Sequence, residues 1–173
     1  KLVQRIDVAQ EAARAIKICA QSKQAITLMF QEARMGKALA ADDALPIVEE
    51  ISTSVTRNPG ALIGLARLKN KDDYTFQHSV GVCALLVAFS RGMGLDDETI
   101  RQAGIGGMVH DVGKMQTPDK VLNKPGKLTD EEFTVMRHHV VASREILEIT
   151  PNISQTALQV AAQCLVAAGG ADH

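Results

Sequence analysis

Ten consecutive residues, Val80-Gly81-Val82-Cys83-Ala84-Leu85-Leu86-Val87-Ala88-Phe89, carry no charge and leave a helix apolar almost all round. Such a helix is stable in water only when other elements cover it, so it reads as the central helix of a core. Upstream lie His78 and the charged Lys69-Asn70-Lys71-Asp72-Asp73, whose aspartates suit a helix N-terminus; the helix ends near Gly92-Met93-Gly94. With 3% aromatic residues, no Trp and one Tyr, the covering layer must be built from Ala, Leu, Ile, Val and Met. That palette packs helices better than sheets. The expected class is all-α, in one ordinary domain, because 173 residues with 46% hydrophobic content suffice for a core.

From about Ile6 to Met35, the positions Ile6, Ala9, Ala13, Ile16, Ala20, Ile26, Met29 and Phe30 alternate with Gln, Lys, Arg and Glu. This is an amphipathic helix, with a break expected near Ser22. It serves either as a packing helix or as a connector or dimerising helix that passes a signal from an upstream domain. Gly36 ends it, and Asp42-Asp43 with Pro46 open a second helix to about Arg57. Asn58-Pro59-Gly60 reads as a turn before a short helix from Ala61 to Leu68. Asp96-Asp97-Glu98 opens the helix that leads to His110; inside it Gly104, Gly106 and Gly107 each cost about 1 kcal/mol relative to Ala. Another helix or a ligand must approach closely there. Gln116 to Lys127 reads as a loop, and Thr129-Asp130-Glu131-Glu132 as a capping box for one helix bearing His138 and His139. Pro151-Asn152 breaks the chain before a last helix near Ile153. Nothing requires a strand.

Four of the five histidines fall between Tyr74 and His139. His78 shares a helix face with Tyr74, Val82, Leu85 and Leu86, which turns its ring toward the core. His139 shares a side with Val135 and Met136, whereas His138 follows Glu131 and Thr134, so His139 is the inward one. His110 and Asp111 stand together where an apolar helix runs out into Gly113-Lys114. Imidazole nitrogen and carboxylate oxygen together suit zinc, manganese or iron, and a carboxylate can bridge two ions. Adjacent residues on a regular helix point about 100° apart, so the pair converges only at a distorted helix end. Gly113 permits such an ending.

A formal net charge of -1 gives no basic excess for a nucleic-acid polymer, while a small phosphorylated ligand remains compatible. Cys19, Cys83 and Cys164 sit in apolar helical contexts without CxxC spacing and read as reduced core residues of an intracellular, cytoplasmic protein. No apolar run approaches the roughly 20 residues needed to span a bilayer, and no signal-peptide region opens the chain. Because it starts at Lys1, the chain is expected to be an internal fragment with an upstream neighbour.

Four blocks in order, Tyr74-Thr75-Phe76-Gln77-His78-Ser79, His110-Asp111-Val112-Gly113-Lys114, Leu122-Asn123-Lys124-Pro125-Gly126-Lys127-Leu128-Thr129 and Met136-Arg137-His138-His139, resemble the HD-GYP branch of the HD phosphohydrolase superfamily. The resemblance covers about Asp72 to Gln163. It implies an all-helical HD-type domain over 72–173, preceded by an N-terminal helical segment over 1–71. It further implies two or three divalent metal ions, usually iron or manganese, although the four ligands present could hold one or share two. The implied activity is hydrolysis of the cyclic dinucleotide cyclic di-GMP to pGpG or GMP in bacterial signalling. Carried over by position, His78, His110, Asp111 and His139 look like metal ligands, with Asp111 bridging and also catalytic. Lys114 looks like the group that steadies a phosphate oxygen. Lys124, with Lys127 and Arg137, would lend positive potential at the entrance, or serve simply as a solvated face. A homodimer or an upstream regulatory domain is the partner expected beside the substrate.

The chain also departs from that pattern. Cys164-Leu165-Val166 stands where the family places His-His-Glu, and no Gly-Tyr-Pro follows; Gly81 replaces a common Arg, and Val140 a common Pro. Two explanations compete: a chain incomplete at its C-terminus, which the uncapped end favours, or a degenerate member acting as a binding or scaffold module. A general HD phosphohydrolase acting on nucleotides is a third reading, which the Leu122–Thr129 block disfavours.

Overall fold

The structure, a computed structural model, describes residues 5–66 and 74–170. Its α-helices are α1 (Val8–Arg34), α2 (Ala41–Arg57), α3 (Pro59–Ala66), α4 (Tyr74–Gly92), α5 (Asp97–Val109), α6 (Asp119–Leu122), α7 (Asp130–Arg137), α8 (His139–Glu148) and α9 (Gln155–Gly170), with a 3-10 turn at Val112–Gln116. No strand occurs among the described residues, so the all-α expectation holds.

The centre of the molecule is α5, wedged between α4 on one side and α9 on the other. Its glycines make that possible. A Cβ on Gly104 would lie 2.6 Å from Val48 of α2 and 3.1 Å from Val87 of α4. One on Gly107 would lie 2.5 Å from Leu86, and one on Gly106 2.5 Å from the Ala157 carbonyl of α9. The close approach anticipated at these glycines is therefore that of neighbouring helices. Val80, Cys83, Ala84 and Val87 of α4 are fully buried against this layer, together with Val48 and Ile51 of α2. The cover over α4 is incomplete, however: Leu85, Phe89 and Met93 form a strip that is 48%, 67% and 59% exposed.

Four element boundaries depart from expectation, three of them before the capping box. Helix α1 runs unbroken through Ser22, whose hydroxyl donates to the Ile18 carbonyl at 2.7 Å and so satisfies itself within the helix. Its buried stripe is Glu11, Ala15, Ile18, Ser22, Ile26, Met29, Phe30 and Ala33, while Ala9, Ala13, Ile16 and Ala20 face out. Two polar residues lie on the true stripe, which is why hydrophobicity misplaced it over the first half. Glu11 tolerates burial because Arg57 and Arg14 approach its carboxylate at 3.5 and 3.8 Å. Second, Asn58 alone makes the corner between α2 and α3; its side chain accepts from Gly60 N and donates to the Ile6 carbonyl, leaving Pro59 as the first residue of α3. Third, the stretch expected to be loop contains α6, tied to α1 by Arg34 and Asp119 at 3.0 Å.

The predicted capping box is present, with Thr129 and Glu132 each bonding the other's backbone amide. The single helix expected beyond it is instead two, α7 and α8, with His138 at the junction. Leu68 and the Asp72-Asp73 cap lie outside the described residues.

Candidate metal centre

Helix α5 stops at Val109 with His110 as its last helical-angle residue, and Asp111 leads directly into the 3-10 turn. That change of helix type removes the angular divergence of neighbouring residues and lets both side chains face one point. The ending does not come from a left-handed glycine, since Gly113 is not among the positive-φ residues. It comes from contact. A Cβ on Gly113 would collide with the His139 carbonyl and the Ser143 amide, and would lie 2.7 Å from Ser143 Oγ. Only glycine lets the turn lie this close to the first turn of α8.

Around Asp111, which is fully buried, four side chains converge. His110 Nε2 lies 3.3 Å and His78 Nε2 3.4 Å from Oδ2, and His139 Nε2 lies 3.5 Å from Oδ1. Lys114 Nζ donates to Oδ2 at 2.6 Å. The donor atoms of His78, His110 and Asp111 all lie within 4.8 Å of one another, and the rings of His78 and His110 are 5.2 Å apart at their centroids. The structure thus brings His78, His110, Asp111, Lys114 and His139 together.

The hydrogen-bond pattern identifies the nitrogen each ring presents. His110 Nδ1 lies 2.7 Å from the Gly107 carbonyl, and His139 Nδ1 lies 2.6 Å from the Met136 carbonyl. A carbonyl only accepts, so each Nδ1 carries hydrogen, and in the neutral ring Nε2 is left with a lone pair aimed at the carboxylate. With neutral rings these acceptors face an acceptor, an arrangement that a bound cation relieves; with protonated rings Nε2 donates to the carboxylate instead. Asp111 Oδ1 is buried and has no hydrogen-bond partner among the described residues. This arrangement of two or three imidazoles and one carboxylate fits a divalent metal ion.

Burial by itself would raise the Asp111 pKa, but contacts with His110 and His139 and the nearby Lys114 ammonium outweigh it and hold the carboxyl well below its usual range. His78 is lowered from its ordinary 6.5, chiefly by burial, with Asp111 opposing and His110 and Lys114 reinforcing. Both groups are therefore in the forms that bind metals.

Lys124 lies apart from this convergence in its contacts: its ammonium pairs with Glu132, the carboxylate that also closes the capping box of α7. His138 is exposed. Sequence reasoning overlooked Ser143, whose hydroxyl accepts the Gly113 amide hydrogen at 2.8 Å, but had already named Cys164, as a core residue and as part of the segment standing where the family places His-His-Glu. Cys164 is half-buried on α9, and its thiol pKa is raised by burial and then by the negative charge of Asp111.

The family model for the HD domain matches residues 75–165. A Pseudomonas aeruginosa protein named cyclic di-GMP phosphodiesterase PA4108 is 49% identical over 135 residues, 78% of this chain and 33% of its own length. The 3'3'-cGAMP-specific phosphodiesterase 1 of Vibrio cholerae is 38% identical over 79 residues, 46% of this chain and 18% of that protein. The cyclic di-GMP phosphodiesterase response regulator RpfG of Xanthomonas campestris pv. campestris is 42% identical over 60 residues, 35% of this chain and 16% of that protein. The chain therefore spans about a third or less of each of these relatives. No solved structure matches it. With its helices, its His-Asp turn and its matched span in agreement, the chain belongs to the HD domain family, on the HD-GYP branch.

Proposed function

We propose that this chain forms the metal-holding core of a phosphodiesterase that hydrolyses a cyclic dinucleotide, cyclic di-GMP before cyclic GMP-AMP. The observation that carries the reading is the buried Asp111 carboxylate faced by the Nε2 atoms of His78, His110 and His139 at 3.3–3.5 Å. The names of the relatives supply the substrate class, with cyclic di-GMP in two of the three described and 3'3'-cGAMP in the other.

In this reading His78, His110, Asp111 and His139 are the ligands. His78 and His110 face Asp111 Oδ2 and His139 faces Oδ1, so these four residues would hold the metal. When bound, iron or manganese ions supply an activated water and neutralise charge on the phosphodiester. The chain's own residues do the rest. The Gly107 and Met136 carbonyls hold His110 and His139 in the tautomer that offers Nε2. Lys114, only 19% exposed, presents its ammonium at the edge of the site, where it steadies a non-bridging phosphate oxygen. Lys124 provides a second positive charge on the loop before α7, and Glu132 orients it. The domain is cytoplasmic in this reading and receives its input from an upstream domain or a second copy through the N-terminal helical segment, residues 1–71; the catalytic unit is 72–173. No helix among the described residues is long and apolar enough to cross a membrane.

Incubating the full protein with manganese or iron and each cyclic dinucleotide, and resolving linear products by chromatography, tests the proposal. Absence of turnover with both metals and both dinucleotides defeats it. A second reading, a binding or scaffold module, is favoured by one observation: the α9 residue that feels the Asp111 charge is a thiol, Cys164, rather than an imidazole. Calorimetry showing cyclic di-GMP binding without turnover, on a protein that retains no metal, would select it.

A further inference from the structure

The metal-site reading leaves open what sets the distance between the turn bearing Asp111 and the helix bearing His139. Nothing inside the turn does so, since Asp111 makes no side-chain capping bond there. Residues 139 and 143 are one helical turn apart on α8 and therefore lie on the same side of it. His139 reaches Asp111 Oδ1 at 3.5 Å, and Ser143, fully buried, accepts the amide hydrogen of Gly113 at 2.8 Å, two residues beyond Asp111. Gly113, with no Cβ, lets the two backbones meet at that point.

Resting on the proposed metal centre, we propose that Ser143 is a positioning residue. Its hydroxyl clamps the His-Asp turn to α8 so that Asp111 Oδ1 and His139 Nε2 can hold the same divalent ion. His78 and His110 approach the other oxygen from α4 and from the end of α5. The Gly113 amide is buried, and removal of the hydroxyl leaves it without its acceptor, so the turn must shift to find another.

The test compares wild type, Ser143→Ala and Ser54→Ala. Ser54 is a buried α2 serine whose hydroxyl has no partner among the described residues. Manganese affinity is measured by calorimetry, the ligand-field spectrum of the cobalt(II) protein is recorded, and thermal midpoints are taken without metal. Ser143→Ala is expected to weaken metal binding by about tenfold or more, the size of an outer-shell effect, and to change the cobalt spectrum; Ser54→Ala should do neither. Unchanged affinity and spectrum in Ser143→Ala, whatever its thermal midpoint, would overturn the proposal, as would equal weakening in Ser54→Ala. A wild-type protein that binds neither ion would instead overturn the metal-site reading beneath it.

Discussion

Asp111 is fully buried, yet its charge is maintained by neighbours on both oxygens. Lys114 and the ion proposed for the site compete for Oδ2, so the carboxylate is where metal and ammonium meet. Asp111→Asn keeps the shape and removes the charge. Metal affinity should fall by more than the about tenfold to hundredfold lost with outer-shell partners, as calorimetry would read. Lys114→Ala removes the competitor for Oδ2 and so should tighten metal binding, while turnover falls by about tenfold to a hundredfold with the loss of the charge that serves the phosphate. His78 gives a pH dependence. Its folded pKa lies below the ordinary 6.5, so between those two values the unfolded chain binds the proton that the folded chain refuses. Its contribution is complete above about pH 6.5 and is lost as pH falls through the depressed value. Denaturation midpoints of the metal-free protein should fall between about pH 7.5 and pH 5.5, and His78→Gln should flatten that slope. Helical spacing picked out His78 and His139 on premises the structure does not keep: Leu85, on the His78 face, is 48% exposed and His78 itself is only half-buried, and His139 opens a separate helix after an α7 with no buried residue. The tautomers were not visible, because they depend on carbonyls three residues back at two helix ends.

At the level of elements, the glycines and the capping box carry the fold to the site. Replacing Gly106 by Ala forces a Cβ against the Ala157 carbonyl and Val160, both on α9. Because a backbone atom is involved, α5 and α9 must separate, and a loss of about 1–3 kcal/mol is expected in denaturant unfolding. Thr129→Ala should cost about 1 kcal/mol by removing the cap of α7. It also loosens Glu132, the partner of Lys124. The capping box was legible because it is a local pattern: four residues satisfy their own backbone. The break at His138 was not, since Val135, Met136 and His139 continue a plausible helical pattern. The same limit applies to α1, where Glu11 and Ser22 occupy buried positions that no hydrophobic count would select.

For the whole molecule, the proposed ligands come from α4, from the end of α5 with the following turn, and from α8. An ion held by all of them links parts of the chain that unfold together. Saturation at about 100 times the dissociation constant should raise stability by about 2.7 kcal/mol, and a chelator should remove that gain, as thermal midpoints with and without manganese would show. The amino-acid order alone determined the helical class, the burial of Val80, Cys83, Ala84 and Val87, and the starts of α5 and α7. Each of these follows from periodicity or from bonds between residues a few positions apart. Only the tertiary structure decided that Gly104, Gly106 and Gly107 admit helices, that Gly113 admits the backbone of α8, and that Ser143 bonds the turn that carries Asp111. Those are encounters between segments tens of residues apart, and the spacing within one helix carries no information about which face of another will meet it.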